Sequence, residues 1–225
     1  MDMSFQLGRI GAGIVLLFTI LALLSSIVMI GDPYEMNPAA RLQPPSVEHP
    51  FGTDQYGRDV LSRVIHGTRS SLLVAFLAVA VAIALAFVLG LTSGYFGGVT
   101  DLVIMRFMDI LMAFPSVLLG IALVAALGAN LLNVVLVISV ISLPTLTRVI
   151  RAASMEVKNQ DYVDAARALG ATAVRIMTRT VLPNVLPSVI AMTSIAVAQA
   201  VLLEAAFGFL GLGVQPPTPS WGNLL

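Results

Sequence analysis

The sequence predicts an all-α integral membrane protein, and three observations lead to that class. Of its 225 residues, 58% are hydrophobic and 11% carry a charge, whereas an average soluble domain carries about 25% charged residues. The apolar residues lie in runs of about 20, long enough to cross a hydrocarbon layer of about 30 Å. Prolines, glycines and polar residues separate these runs. A globular core would not require apolar runs of that length.

Charge and residue types exclude several functions. Twelve basic and twelve acidic side chains give a formal net charge of zero, so no overall field attracts nucleic acid. The chain has no cysteine, which excludes disulfides and thiolate metal sites. Its single lysine, Lys158, follows no glycine-rich loop, so we expect no nucleotide hydrolysis by a phosphate-binding loop. We expect no metal site, since His49 and His66 lack metal-ligand spacing and are interpreted as surface residues.

The first predicted span covers residues 10–30, after a cytosolic N-terminus at residues 1–9. The run ends in Gly31-Asp32-Pro33 without a small-x-small cleavage pattern. A retained span is therefore favoured over a cleaved signal peptide.

An extracytoplasmic loop is predicted over residues 31–71. Five prolines between residues 31 and 50 forbid a continuous helix in its first half. In its second half, one helical face is apolar from Val60 to Ile65, while Arg58 and Arg63 lie on the other face. This pattern predicts a short helix lying on the membrane surface.

A core membrane domain is predicted over residues 72–225. Its spans are expected at about 72–91, 103–127, 131–150 and 185–205. Pro115 should kink the second of these helices, and Pro144 lies near the end of the third. The Gly- and Pro-rich tail after Phe207 predicts a loop or a re-entrant piece. With the first span, five spans are visible.

Basic residues in the connections predict the orientation. One side of the membrane carries seven Lys and Arg residues and the other carries four. The excess favours a cytoplasmic N-terminus and a cytoplasmic segment over residues 151–182 under the positive-inside rule.

That cytosolic segment carries the strongest local signal. Asp161 is predicted to cap a short helix, Asp164 to complete a capping box, and Gly170 to supply a left-handed stop. One face of this helix is apolar and includes two alanines, which permit close approach to another protein. The face consists of Tyr162, Ala165, Ala166 and Leu169. For an ordinary inter-span loop, packing of this face onto its own bundle would be the preferred interpretation.

A wider pattern reverses that preference. Asp164-Ala165-Ala166, three residues, Gly170, nine residues and then Thr180-Val181-Leu182-Pro183 resemble the EAA signature of ATP-binding-cassette (ABC) importer permeases. Asp164 stands where that family usually has glutamate, and Thr180 where it has isoleucine. In the family this loop is the coupling helix, which docks in a cleft of the ATPase subunit. The resemblance implies that the coupling residues are Asp161, Tyr162, Asp164, Ala165, Ala166, Arg167, Leu169, Gly170, Leu182 and Pro183.

Further sequence similarity narrows the resemblance. Three stretches are similar to the C-type subunit of the dipeptide, oligopeptide and nickel permeases, namely residues 49–54, 57–63 and 204–222. The similarity runs from about residue 46 to the last residue. It implies a type I ABC importer transmembrane domain of the MetI-like fold. For the C-type subunit the resemblance implies six spans, so a sixth is expected after Leu225.

The resemblance also implies a function and partners. The chain would be a permease subunit in the bacterial plasma membrane that forms part of a path for peptides or related small solutes. It would bind no cofactor, while one or two partner ATPases use ATP and Mg²⁺. A B-type permease subunit and an extracytoplasmic solute-binding protein would complete the system. Alternatives are a permease for nickel or another solute, an ion-gradient-driven transporter or channel, and a membrane-embedded hydrolase, which lacks a catalytic cluster.

Charged residues in or near the apolar runs are few. Glu204, near the end of the last predicted span, must face protein or water. It is either part of an external gate or, as we favour, a carboxylate satisfied by a neighbouring subunit. Arg106 and Asp109 lie three residues apart, which predicts a structural ion pair on one helical face.

Overall fold

The computed structural model describes residues 3–24 and 31–225, and helices dominate both stretches. Three of them are long and apolar enough to cross a membrane, and a bent pair makes a fourth if it is counted as one span. The part of the predicted first span at residues 25–30 lies outside the described residues. The helices are α1 (Met3–Leu24), α2 (Val60–Phe96), α3 (Gly98–Met112), α4 (Ser116–Leu127), α5 (Leu131–Lys158), α6 (Asp161–Ala168), α7 (Ala173–Ile176) and α8 (Leu182–Phe209).

The surface helix predicted near residue 60 is not a separate element. α2 runs without a break from Val60 to Phe96. No proline interrupts this stretch, and the one glycine at the junction, Gly67, lies in contact with the backbone of Ser220. The prediction was wrong because the local apolar pattern near the start of α2 does not show that the helix continues.

The predicted kink at Pro115 is a full break. α3 ends at Met112, α4 begins at Ser116, and their axes differ by 88°. Pro115 occupies the N-cap position of α4, where its missing N–H leaves no helical hydrogen bond unmade.

α5 continues beyond the predicted end at residue 150. It passes Pro144 and ends at Lys158, so the first eight residues of the predicted cytosolic segment extend this helix. α8 likewise includes the predicted span 185–205 and ends at Phe209. A π-helical turn, Met177–Val181, leads directly into α8.

The chain folds as two compact units. The first combines the residues up to Val74 with Ala129–Leu131 and Glu204–Leu225. In its tail, the Trp221 backbone N–H donates to the Ser71 hydroxyl at 3.0 Å, and the indole N–H donates to the Val64 carbonyl at 3.3 Å. These bonds fix the tail to the first turns of α2.

The extramembrane loop of the first unit is held by side chains that accept backbone hydrogen bonds. Asp59 caps α2 by accepting from the Ser62 N–H at 2.7 Å, and its second oxygen pairs with the His49 ring at 2.9 Å. The Thr53 hydroxyl donates to the Ala40 carbonyl. His49 is therefore half-buried and paired, which corrects its interpretation as a plain surface residue.

The second unit consists of Ala75–Gly128 and Leu132–Leu203. Small residues of α2 form its buried side: Ala75, Ala78, Val79, Ala82 and Ala86. The Ser139 hydroxyl of α5 donates to the Ala78 carbonyl at 2.9 Å, which joins the two helices by a side chain to backbone bond. Gly90 and Gly94 continue this close packing toward the end of α2, with Ile150 and Ser154 of α5 against them.

Candidate functional site

α6 begins differently from the prediction. Its N-cap is Gln160, which makes no side-chain cap bond, and Asp161 is the first helical residue. Asp164 does not complete a capping box, because its carboxylate accepts from the Arg167 guanidinium at 2.8 Å. Both acidic residues still lie in the first turn, where they stabilise the positive end of the helix dipole.

The end of α6 is as predicted. Gly170 has φ +81°, the left-handed conformation that glycine adopts without steric cost. Its N–H donates to the Arg167 carbonyl at 2.9 Å, and the N–H of Ala171 donates to the Ala166 carbonyl at 3.1 Å. These bonds satisfy carbonyls that the last turn would otherwise leave unpaired. A sharp stop therefore separates α6 from α7.

The apolar face of α6 is turned away from its own bundle. Tyr162 is 47% exposed and Leu169 is 89% exposed. Ala165 is exposed as well, while Ala166 is half-buried. Val163 is the one buried residue of the helix. The helix thus lies on the bundle through Val163 and leaves the predicted face open.

The chain returns from this helix through a short connection. The Thr172 hydroxyl caps α7 by accepting from the Arg175 N–H at 3.4 Å. The π-helical turn follows, and α8 begins with Leu182, half-buried, and Pro183, exposed. Pro183 is in the first turn of the helix, where a missing N–H is tolerated.

Tyr95, in the last turn of α2, joins three helices and was not singled out by the sequence. Its ring is buried, with the Arg167 guanidinium 5.5 Å and the Lys158 ammonium 5.9 Å from the ring centroid. Arg167 belongs to α6 and Lys158 ends α5. The sequence shows this tyrosine only as part of the Gly-rich connection from Gly94 to Gly98. Its contacts could not be predicted from there, because both partners are more than 60 residues away along the chain.

A second charged group ties α3 to α5. Arg151 binds Asp101 through two bonds of 2.5 Å, and the Ser93 hydroxyl donates to the same carboxylate. Such bidentate pairs fix geometry as well as charge. Asp109 pairs with Arg148 at 2.6 Å. The predicted pairing of Asp109 with Arg106 was therefore wrong, because the nearer partner in space comes from another helix.

Glu204 lies inside the first unit. Its side chain is fully buried by its own chain, and neither carboxyl oxygen has a hydrogen-bond partner among the described residues. The hydroxyl side chains of Ser71 and Ser220 lie near the carboxyl group without forming a hydrogen bond to it. A buried carboxyl without a cation is costly in its charged form. Its predicted role, as gate or interface group, stays a prediction.

A family model for binding-protein-dependent transport system inner membrane components matches residues 82–225. This match covers more than half of the chain, including α6 and both charged groups around it. The chain belongs to this family. The family predicted from the EAA-like segment is thereby confirmed, and the protein is a membrane-embedded permease component.

Curated relatives agree over nearly the whole chain. A dipeptide transport system permease protein of Alkalihalophilus pseudofirmus is 40% identical over 98% of this chain and 72% of its own length. A di/tripeptide transport system permease protein of Pseudomonas aeruginosa is 44% identical over 93% of this chain and 71% of its own length. The Escherichia coli protein described as a probable D,D-dipeptide transport system permease is 39% identical over 95% and 72%.

Solved structures show the same fold. An inward-facing form of the MetNI methionine ABC transporter aligns with TM-score 0.60 and 19% identity, over 68% of this chain and 77% of that chain. A second crystal form aligns with TM-score 0.58 and 21% identity, over 67% and 75%. The permease component therefore has the all-helical fold of a type I ABC importer transmembrane domain.

Proposed function

We propose that this protein is the C-type permease subunit of an ABC importer for dipeptides and oligopeptides. It forms part of the translocation path and receives motion from partner ATPases at α6. The exposed apolar face of α6 is the observation that carries this proposal. The peptide specificity is supported by two relatives whose names describe dipeptide and di/tripeptide transport systems.

The geometry of α6 suits a helix-in-groove contact. Tyr162 and Leu169 provide apolar area, and the two alanines between them keep the helix axis close to a docking surface. Val163 is buried on the bundle side, so the contact with the bundle and the open face use different side chains. A push on the open face would therefore move the helix without first breaking its own packing.

The proposed complex contains further subunits. A B-type permease subunit completes the path, one or two ATPases use ATP and Mg²⁺, and an extracytoplasmic solute-binding protein delivers the solute. In this arrangement the chain lies in the plasma membrane with a cytoplasmic N-terminus, binds no cofactor and catalyses no covalent reaction.

Reconstitution tests the proposal. The chain is co-expressed with the partner genes and placed in proteoliposomes, and uptake of radiolabelled alanyl-alanine is followed with and without ATP. We expect concentrative uptake that requires both ATP and the ATPases. Uptake that persists without either would overturn the proposal and favour an ion-gradient-driven transporter. Uptake of nickel but not of peptides would overturn the peptide assignment.

Paired alanine substitutions test the coupling face. Ala165→Leu places a bulky side chain on the open face. Ala168→Leu makes the same change about 60° away around the helix, in the direction away from Tyr162 and Leu169, where the residue is also exposed. We expect Ala165→Leu to lower ATPase co-purification and uptake, and Ala168→Leu to retain both. Equal results for the two variants would contradict the assignment of this face.

The gate role of Glu204 has its own test. Glu204→Gln keeps the shape of the side chain and removes its capacity to ionise. A gate requires altered uptake at normal expression. Uptake equal to that of the unchanged protein would exclude the gate role and support a structural role for Glu204.

A further inference from the structure

Tyr95 is a buried aromatic residue that contacts two charged side chains, whereas ordinary core residues contact apolar ones. The ring is 8% exposed and faces two cations that come from two different helices. Cations within about 6 Å of an aromatic centroid are attracted by the negative face of the ring. We call Tyr95, Lys158 and Arg167 the tyrosine clasp.

The clasp is electrostatically balanced. Two like charges near one ring would repel each other, but Asp164 accepts from Arg167 at 2.8 Å and offsets one of them. Its position beside Tyr95 and Asp164 raises the pKa of the Arg167 guanidinium above an already high ordinary value, so this group stays charged at every pH used for transport. The contact therefore persists under working conditions.

α6 has few other anchors. Val163 is its one buried residue, and an apolar contact of this kind does not fix the rotation of a helix about its own axis. Arg167 is the residue of α6 with contacts at an aromatic ring of another helix. Because Val163 and Arg167 lie one turn apart, together they determine how α6 is oriented on the bundle.

The other end of the clasp is rigid. A β-carbon at Gly94 would lie 2.7 Å from Ser154 of α5, so α2 and α5 are in backbone contact next to Tyr95. Ser93 donates to Asp101 of α3, which is also held by Arg151. A displacement delivered to Tyr95 thus reaches α2, α3 and α5 together.

We propose that Tyr95 is the positioning residue that passes movement of α6 to α2, through its contact with Arg167. This inference rests on the proposed coupling function of α6. Tyr95 does not touch solute or nucleotide. Its role is to join α6 to the end of α2, so that a rotation of α6 displaces α2 and ATP hydrolysis is converted into transport.

The test measures coupling separately from assembly. In proteoliposomes containing the full complex, the number of ATP molecules hydrolysed per alanyl-alanine transported is compared for Tyr95→Leu and the unchanged protein. We expect Tyr95→Leu to retain ATPase co-purification while this ratio rises about fivefold. That change corresponds to a loss of about 1 kcal/mol of coupling free energy between two sites. Phe96→Leu is the matched control, because it removes the neighbouring half-exposed ring without removing a cation contact.

A double-mutant cycle identifies the pair. Arg167→Gln alone should raise the ratio, and its combination with Tyr95→Leu should raise it no further, because both changes break one contact. Arg167→Lys keeps a cation at the ring and should stay within about twofold of the unchanged protein. Since Arg167 is partly exposed, the Arg167 variants also serve if Tyr95→Leu does not fold.

The outcomes separate the two proposals. An unchanged ratio in Tyr95→Leu or in Arg167→Gln, or effects that multiply in the double variant, would overturn the tyrosine clasp while leaving the coupling helix intact. Failure of the unchanged protein to bind ATPases would instead overturn the proposed function.

Discussion

Replacing Gly94 by alanine is the sharpest test of the packing between α2 and α5. A β-carbon at this position would lie 2.7 Å from the Arg151 carbonyl oxygen and 2.7 Å from the Ser154 β-carbon. Ordinary van der Waals contact begins at 3.4 Å, so the helices would have to separate by about 0.7 Å. Neither obstacle can turn away, because one is backbone and the other is the first carbon of a buried side chain.

The cost follows from the rigidity of this contact. Overpacking by one carbon costs about 1–3 kcal/mol, and a backbone obstacle places Gly94→Ala toward the upper end. One turn earlier, a β-carbon at Gly90 would lie 2.8 Å from the buried Ile150, so the helices cannot pivot apart there to make room. We therefore expect the free energy of unfolding to fall by about 2–3 kcal/mol.

The assay is unfolding of the purified protein in mixed micelles, titrated with a denaturing detergent and followed by circular dichroism. Gly13→Ala is the control, because a β-carbon there has no described atom within 4 Å. It should leave stability equal or raise it by up to about 1 kcal/mol through helix propensity. A Gly94→Ala protein that unfolds at the same detergent fraction as the unchanged protein would refute the close approach of α2 and α5.

Three further predictions concern other contacts. Burial raises the pKa of Asp54, but hydrogen bonds from two backbone amides and the Arg58 guanidinium lower it by more, so the pKa lies below its usual value. The loop should therefore be fully stable above the pKa of a free aspartate and lose stability as pH falls through the lowered pKa. Hydrogen exchange of the loop amides measures this loss of stability in acid, and Asp54→Asn should lack it. The same loss in Asp54→Asn would contradict the hydrogen bonds to Asp54. Trp221→Phe removes the 3.3 Å bond to the Val64 carbonyl and should cost about 1 kcal/mol in the same unfolding assay, with no loss if that bond is unimportant. Arg151→Lys cannot bind a carboxylate in two places and should lower stability by about 1–2 kcal/mol, whereas equal stability would show that charge alone suffices.

Local backbone chemistry explains what could be predicted from the sequence. Pro115 was expected to bend its helix, and the chain turns by 88° between α3 and α4 there. Gly97 and Gly170 both adopt positive φ where a connection or a helix stop was expected. These residues act through their own φ or their missing N–H, so no knowledge of distant neighbours was needed. The family followed from spacing within one segment, which is local information as well.

Helix ends and charge partners required the tertiary structure. α2 begins well before its apolar run, and α5 extends beyond Pro144, since transmembrane helices tolerate proline where neighbouring groups compensate. Asp109 had a local candidate three residues away, yet Arg148 lies within hydrogen-bond distance after folding. Spacing along one helix fixes which pairs can form and leaves the choice to the approach of other helices.

Arg167 shows how both kinds of information combine at the proposed coupling site. Its ion pair with Asp164 is one that a spacing of three residues allows, although the sequence favoured a capping-box role for Asp164. Its contact with Tyr95 depends on α2 ending beside α6, which only the fold reveals. An exposed pair of this kind within one helix contributes little to stability, so the orientation of α6 must depend mainly on Val163 and the ring. The side chains that a partner would touch and those that would pass on its movement therefore lie on different sides of one short helix.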